Sequence, residues 1–292
     1  MTESRIAYLQ LHLAVFLFGF TAILGDLITI PAASLVWWRV FFTSISLLFF
    51  IGFGRALKKI NSRHILFLSG IGVLVAIHWV AFYASIKYSN ASIALITMSL
   101  TSFFTAIIEP LILKSKLNKL QLLFGMLVFP GMILIVDTIE VYLRIGIYLG
   151  LVASFTASIF AVLNKKIVDQ VDSFSITFLE MFAAWITLTI IMYFVPEKYF
   201  DPFMPIGMDW FYLVVLSLLC TTLAFYLSLI ALKSVTAFEA NLVINLEPVY
   251  GIALAIVILK DHKELSTNFY LGVLIILFVV FLYPIFKKKF DA

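Results

Sequence analysis

The chain has 292 residues, of which 63% are hydrophobic and only 12% are charged, and its mean hydropathy is +1.12. Soluble proteins are about half apolar and about a quarter charged, so this composition excludes an ordinary soluble domain and predicts a membrane-spanning protein. In a soluble protein the net charge of +4 would favour nucleic acid as a partner, but here the basic residues lie between apolar segments and predict orientation in a lipid bilayer, with no nucleic acid partner. The single cysteine, Cys220, excludes an internal disulfide and a cysteine-based metal cluster, and we expect no metal or cofactor.

Ten apolar segments follow one another along the chain, each about the 20 residues that a spanning helix needs. The predicted helices of the first half lie near residues 7–25, 34–53, 65–86, 91–113 and 120–137. Those of the second half lie near residues 146–164, 174–195, 209–231, 237–259 and 268–286. The first segment lacks a small-residue cleavage site and is interpreted as a retained helix, not a signal peptide. The predicted fold class is an all-α membrane protein with ten transmembrane helices.

The two halves of the chain share short sequences at a nearly constant spacing. Ala81-Phe82-Tyr83 recurs 143 residues later as Ala224-Phe225-Tyr226, and Ile112-Leu113-Lys114 recurs 146 residues later as Ile258-Leu259-Lys260. Two related halves with five spans each must have opposite orientations in the bilayer, as in many secondary transporters. The sequence therefore predicts two inverted five-helix repeats, residues 1–140 and 141–292.

The basic residues predict which ends of the helices face the cytoplasm. If the N-terminus is cytoplasmic, fourteen lysines and arginines fall on the inside and five on the outside, while Arg39 lies within a span. We therefore expect a multi-pass membrane protein with both termini in the cytoplasm.

Three short motifs resemble a known family. They are Trp37-Trp38-Arg39 at the start of the second span, Leu246-Glu247-Pro248-Val249-Tyr250 in the ninth, and Glu264-Leu265 before the tenth. In this order and spacing, the chain resembles the EamA-like branch of the drug/metabolite transporter superfamily over residues 7 to 286. The resemblance implies a ten-helix permease of the cell (inner) membrane that transports small metabolites, usually outward. The first half departs from the motif, since Thr101-Ser102 stands where the second half has Glu247-Pro248.

Ionisable side chains inside a span cost about 2.5–3.5 kcal/mol on insertion scales, so they usually face a cavity or a partner. Arg39 shares a helix face with Thr43 and Ser46, and we weigh a cavity role against an interfacial anchor or an ion pair. Glu180 lies 141 residues after Arg39, at the matching position of the second half, and has the same alternatives.

Two further helices have polar faces. The fourth places Thr97, Thr101, Thr105 and Glu109 at four-residue intervals, a pattern typical of a water-filled path or of hydroxyls that bond the preceding turn. Glu109, near the cytoplasmic end, is interpreted as solvated.

The ninth predicted helix has Asn241 and Asn245 on one face and Glu247 on another. Pro248 cannot donate to the Ile244 carbonyl, so this carbonyl is free beside a carboxylate. Glu247 is therefore the leading candidate for binding substrate or a proton, with a structural hydrogen bond between the repeats as the alternative.

Polar aromatic side chains in the third and eighth helices are candidates for stacking on a flat or cationic substrate. They are His78, Trp79, Tyr83 and Tyr226. Because 16% of the chain is aromatic, packing and the interfacial belt are the alternatives, and for His78 the favoured alternative is an interhelical hydrogen bond.

These features predict a secondary carrier that exports small metabolites, such as amino acids or related amphipathic compounds, by alternating access, with a proton as a candidate coupling ion. Uptake or exchange of a vitamin-like solute is the alternative within the same fold. An intramembrane lipid-modifying enzyme is the alternative from another class, but the sequence has no HExxH motif, no Gly-rich phosphate loop and no His/Asp cluster. We expect no enzymatic activity, and the pattern does not predict an oligomeric state.

Overall fold

The computed structural model describes residues 3–51, 60–136, 144–258 and 267–290, and no strand occurs among them. The first half contains α1 (Glu3–Leu27), α2 (Ala32–Ile51), α3 (Ser62–Tyr88), α4 (Ala91–Met98), α5 (Thr101–Leu113), α6 (Lys119–Met126) and α7 (Val128–Val136). The second half contains α8 (Arg144–Ile167), α9 (Ser173–Phe194), α10 (Asp209–Ser217), α11 (Ala224–Leu232), α12 (Ala237–Ile244), α13 (Glu247–Ile258) and α14 (Thr267–Phe290). The predicted boundary between the halves and the Glu264-Leu265 motif lie almost entirely outside the described residues.

Within the described residues, seven helical segments are long and apolar enough to cross a membrane. They are Arg5–Leu27, Ala32–Phe49, Ser62–Tyr88, Ala91–Leu113, Arg144–Ile167, Ser173–Phe194 and Asp209–Leu232. The predicted fifth and tenth spans coincide with two shorter apolar helices, Lys119–Gly131 and Tyr270–Tyr283. The predicted ninth span is divided into α12 and α13. The all-helical, membrane-spanning fold is thus confirmed.

Polar side chains fix where many helices begin. Asn61, Asn90, Asn118 and Asp172 each accept hydrogen bonds from backbone N–H groups in the first turn of the helix that follows. Thr236 and Glu239 form a reciprocal capping box at the start of α12. Such caps satisfy N–H groups that have no partner inside the helix, each typically worth about 1 kcal/mol.

Two predicted spans are each divided into two helices at matching positions. In the first half, Ser99 and Leu100 separate α4 from α5, and in the second half Asn245 and Leu246 separate α12 from α13, 146 residues later. Pro248 accounts for the second break because it has no N–H for the helical ladder. At the first break, the Ser99 and Thr101 hydroxyls donate to carbonyls three residues earlier, at 2.6 Å each. Such side-chain bonds compete with regular helical pairing.

The two broken helices lie against each other near the centre of the molecule. Helix α5 contacts α12, and α4 contacts α13. Asn241 Nδ2 donates to Thr105 Oγ1 at 2.7 Å, and Asn245 Nδ2 donates to Ser102 Oγ at 3.0 Å. These bonds join the halves directly, so the break points are positioned by both parts of the chain.

A π-helical segment, Leu218–Leu223, connects α10 to α11. The Thr221 and Thr222 hydroxyls donate to the carbonyls five residues earlier, at 2.7 and 2.9 Å. The same two residues contact the polar face predicted on α2, since Thr221 accepts from Arg39 and Thr222 bonds Ser46. Widened turns of this kind occur often at functional sites because they redirect side chains.

Candidate functional site

A cavity of about 100 Å³ lies where α1, α2, α3, α8 and α11 meet the two broken helices. A space of this size holds several water molecules or a small solute. Its polar lining residues are Thr21, Arg39, His78, Thr101, Asn164, Ser228, Asn241 and Glu247. Its aromatic lining residues are Phe18, Trp79, Phe82, Phe160 and Phe225. The cavity therefore combines a mostly apolar wall with a few polar groups, as binding sites for small molecules commonly do.

Arg39 supplies the positive charge of the cavity, although it is only 2% exposed. Its Nε donates to Thr221 Oγ1 at 2.6 Å and its Nη1 donates to Tyr83 Oη at 2.7 Å. The guanidinium lies 3.9 Å from the centre of the Trp79 ring, which is a cation–π contact. Within the described residues Arg39 forms no ion pair, so its charge is held by neutral groups and is available to an anionic ligand.

Glu247 supplies the negative charge of the cavity. It is 6% exposed and is the first residue of α13, where the helix dipole favours a carboxylate. Thr21 Oγ1 lies 3.4 Å from Glu247 Oε1 but donates at 2.6 Å to the Phe18 carbonyl. Because a hydroxyl has one proton, its bond to Glu247 is weak and leaves most acceptor capacity of the carboxylate for a ligand.

His78 contributes a hydrogen-bond acceptor to the cavity. Its Nδ1 lies 2.8 Å from the Ala153 carbonyl oxygen, which can only accept, so Nδ1 carries a proton. In the neutral ring the other nitrogen, Nε2, is then an acceptor. The Phe160 ring lies edge-on to the imidazole with a centroid separation of 5.3 Å and fixes its orientation.

The remaining predicted cavity residues are Thr101, Trp79 and Asn241, and all three line it. Thr101 is the first residue of α5 and Glu247 the first of α13, so the starts of both second half-helices reach the cavity. The predicted cluster of Arg39, His78, Trp79, Thr101, Asn241 and Glu247 is thus brought together in space.

Five predicted site residues do not line the cavity directly. The Tyr83 hydroxyl accepts a hydrogen bond from Arg39 but is not part of the cavity wall. Tyr226 is partly buried and stacks on Phe174 with ring centroids 3.8 Å apart. Thr97 donates to the Ile93 and Ala94 carbonyls, and Asn245 donates to Ser102. Glu180 is fully buried and accepts from Asn164. The Thr97–Thr101–Thr105–Glu109 ladder is divided, because the helix is interrupted after Met98.

The prediction that Glu109 is solvated was wrong. Glu109 is 7% exposed, and its two carboxylate oxygens accept from the Ala237 and Phe238 backbone N–H groups, each at 3.1 Å. The end of α5 therefore caps the start of α12.

Sequence reasoning missed Asn164, Thr21 and Ser228 as cavity residues. Asn164 is the last residue of the predicted sixth span and directly precedes Lys165 and Lys166, and a polar residue inside the last apolar turn was a usable signal. Across the described residues, no group of three or more His, Cys, Asp or Glu side chains is arranged to hold a metal ion.

Comparison with known proteins finds similarity along nearly the whole chain. The model of the EamA-like transporter family matches the chain twice, over residues 5–137 and 144–283. The uncharacterized transporter YetK of Bacillus subtilis (strain 168) is 25% identical over 98% of this chain and 89% of its own length. The uncharacterized transporter YyaM of the same organism is 23% identical over 82% of this chain and 84% of its own length. A solved structure described only as "Crystal structure of protein" superposes with a TM-score of 0.73 at 14% identity, covering 98% of this chain and 99% of that one.

Proposed function

Because the chain belongs to the EamA-like transporter family, we propose that it is a secondary carrier that exports small amphipathic metabolites such as amino acids by alternating access. The observation that carries this proposal is the presence of Arg39 and Glu247 on the wall of one cavity. An amino acid has a carboxylate that fits the guanidinium and an ammonium group that fits the Glu247 carboxylate. Neither charge of the protein is neutralised by an ion pair within the described residues.

The other walls favour an amphipathic cargo of modest size. Trp79, Phe82, Phe160 and Phe225 offer ring faces to an apolar side chain, while His78 Nε2 adds an acceptor. Arg39 is the one cationic lysine or arginine among the described lining residues. A cargo with several negative charges, such as a phosphate ester, would need more cations.

Contacts between helices support ten spans arranged as two inverted five-helix repeats. Helix α3 contacts α8 and α9, and the corresponding part of the second half, α10 with α11, contacts α1 and α2. Helix α2 contacts α9, and α7 contacts α14. Helix α4 contacts α13 and α5 contacts α12, so each divided span meets the divided span of the other half. An exchange of the two halves preserves this pattern, as a two-fold axis in the membrane plane requires. The double match to the family model favours the same division, with a boundary in residues 137–143.

The hydrogen bonds beyond one end of the cavity, and the direction in which the cavity extends, support alternating access. At one end, Asp209 accepts from the Thr29 N–H and hydroxyl at 3.0 and 2.7 Å, and Lys87 donates to the Ile28 carbonyl. These bonds join the ends of α1 and α3 to the start of α10. The cavity extends away from this end, towards Asn164 and Leu232 near the ends of α8 and α11. With the termini in the cytoplasm, as the basic residues favour, the cavity extends towards the cytoplasm, where an exported metabolite is loaded.

The test is efflux from proteoliposomes loaded with labelled amino acids, vitamins and sugar phosphates, with and without an imposed pH gradient. We expect protein-dependent loss of amino acids, accelerated when protons move in the opposite direction. Selective loss of vitamins would favour the alternative carrier function. Retention of every class by folded protein would contradict the proposal.

A further inference from the structure

A second polar pair lies beside the cavity, between α8 and α9. Glu180 is 0% exposed and Asn164 is 2% exposed. Asn164 Nδ2 donates to Glu180 Oε2 at 3.4 Å, close to the longest separation at which a hydrogen bond contributes. Glu180 Oε1 and Asn164 Oδ1 are buried and have no hydrogen-bond partner among the described residues. The carboxyl group is therefore enclosed by packed helices with one weak bond.

No positive charge in the described part of the chain compensates Glu180. The elements packed against α9 include α2, α3 and α11, and Asn164 brings α8 to the same place. The titratable side chains of these helices that point inward are bonded elsewhere: Arg39 to Tyr83 and Thr221, His78 to the Ala153 carbonyl, Lys165 to the Leu232 carbonyl, and Tyr226 stacked on Phe174. Within the described chain, Glu180 forms no ion pair with any of them.

A carboxylate ion in this place would be strongly unfavourable. Removing such an ion from water costs several kcal/mol unless a cation or several good hydrogen bonds replace the water. A neutral carboxylic acid avoids most of this cost. Its O–H also provides the donor that the Asn164 amide oxygen lacks, after rotation of the amide about its terminal bond. The packed conformation therefore selects the protonated form of Glu180.

We propose that Glu180 is a proton-binding site, separate from the cargo site and connected to it by Asn164. Asn164 lines the cavity and bonds Glu180, so it is the contact between cavity water and the carboxyl group. A proton fits this pair better than a metal ion, which takes roughly six or more oxygen ligands, because only two unpartnered oxygens are present.

The proton balance of one transport cycle follows from this placement. In the step that returns the empty carrier, the Glu180 carboxylate takes a proton from water at the outer face, which allows the packed conformation to form. When α8 and α9 separate at the inner face, the Glu180 O–H bond breaks, the proton goes to water and the carboxylate remains. The loaded carrier crosses in the other direction without this proton, so one proton crosses for each complete cycle and the carrier is proton-coupled. The inference rests on the proposed transport function for its coupling, but the protonation of Glu180 can be tested without cargo.

The first experiment measures protonation directly. Infrared spectra of the protein in lipid vesicles at neutral pH are compared for the wild type, Glu180→Gln and the control Glu197→Gln. Glu197 lies in an exposed turn, so its substitution makes the same chemical change in water. We expect the C=O stretch of a protonated carboxylic acid in the wild type and in the control, and its loss in Glu180→Gln. An unchanged band in a folded Glu180→Gln protein would overturn the proposal.

The second experiment measures coupling with labelled amino acids as the probe. For each protein, the ratio of efflux rates with and without an inward proton gradient is measured, so a changed basal rate does not affect the comparison. We expect a ratio above one for the wild type and Glu197→Gln, and a ratio of one for Glu180→Gln. The same ratio above one in all three proteins would overturn the inference.

If Glu180→Gln does not fold, a pH-sensitive dye inside wild-type vesicles reports proton movement during efflux, and no movement would overturn the inference. If no amino acid is transported, the proposed function fails, while the infrared result still decides the state of Glu180.

Discussion

Arg39 and Glu180 occupy matching positions in the two halves of the chain, yet their surroundings differ. Arg39 on α2 is held by Thr221, Tyr83 and the face of Trp79, and its guanidinium reaches the cavity. Glu180 on α9 has one long bond, to Asn164, and lies behind the cavity wall. Both side chains are almost completely buried, so burial alone does not distinguish their functions.

The difference shows that corresponding positions of α2 and α9 can hold two kinds of ionisable group. The neutral donors, acceptors and aromatic face around Arg39 stabilise a permanent cation, which suits recognition of an anionic group. The space around Glu180 stabilises only a neutral acid, which suits a group that gains and loses a proton. We therefore expect substitutions on the Arg39 side to change cargo affinity and those on the Glu180 side to change coupling.

Arg39→Ala should have the largest effect. Removal of one partner of a buried, hydrogen-bonded charge pair costs about 2–5 kcal/mol, so amino acid affinity in counterflow should fall at least about thirtyfold. Arg39→Lys retains the charge but loses the planar donor pair, and should recover part of the affinity. A variant that only misfolds, with no folded but weakly binding population, would instead support a structural role for Arg39.

Glu247→Gln should nearly abolish net transport while the protein remains folded. A hydrogen bond to a charged group is worth about 1.5–3 kcal/mol, which corresponds to a loss of roughly tenfold to a hundredfold in affinity for the ammonium group. Initial rates of efflux and thermal unfolding in detergent measure the two properties separately. Unchanged flux that still responds to a pH gradient would remove Glu247 from the mechanism.

Gly72→Ala should destabilise the packing of α3 on the helix that holds Glu180. A Cβ at this position would lie 2.4 Å from the Glu180 carbonyl oxygen, whereas a Cβ at Gly70 would meet nothing within 4 Å. Overpacking of this kind costs about 1–3 kcal/mol, so thermal unfolding of Gly72→Ala should occur at a lower temperature. Gly70→Ala is the matched control and should be neutral or slightly stabilising, because alanine favours helix. Equal unfolding temperatures for both variants would contradict the close contact of α3 and α9.

Tyr83→Phe and Tyr226→Phe test the comparison with the smallest change. Tyr83 Oη accepts from Arg39, so its loss leaves a buried donor without a partner and should reduce stability by about 1–3 kcal/mol, with a smaller loss of cargo affinity. Tyr226 is partly buried and stacks through its ring, so Tyr226→Phe should change little. Thermal unfolding and counterflow affinity should therefore separate two residues that the repeated sequence makes equivalent. Equal effects of the two substitutions would mean that the halves do not differ as described.

Much of the fold and part of the site could be predicted from the sequence. Length and hydropathy predicted ten spans, of which the described residues contain seven that are long and apolar enough to cross a membrane. The positions of Arg39, His78 and Glu247 within spans made them candidates for cavity residues, because charge and polarity are costly in lipid. Pro248 predicted a free backbone carbonyl in the ninth span, close to where the structure divides this span into α12 and α13.

The rest depends on contacts between residues far apart in sequence. The break at Ser99 and Leu100 has no proline or glycine to indicate it, and the cap that Glu109 provides depends on the start of α12, 128 residues later. The hydrogen bond between Asn164 and Glu180 could not be predicted from their spacing, because it forms only when the folded chain brings α8 and α9 together. Local patterns therefore identified polar positions but not their partners.

The most direct test of the central claim is competition for counterflow by analogues that lack one charge. Vesicles containing the protein exchange a labelled amino acid in the presence of the same amino acid, its amide or its N-acetyl derivative. Because the proposed function has Arg39 and Glu247 each bind one end of the cargo, only the unmodified amino acid should compete well. Equal competition by all three compounds would contradict a cavity that recognises both charges of its cargo.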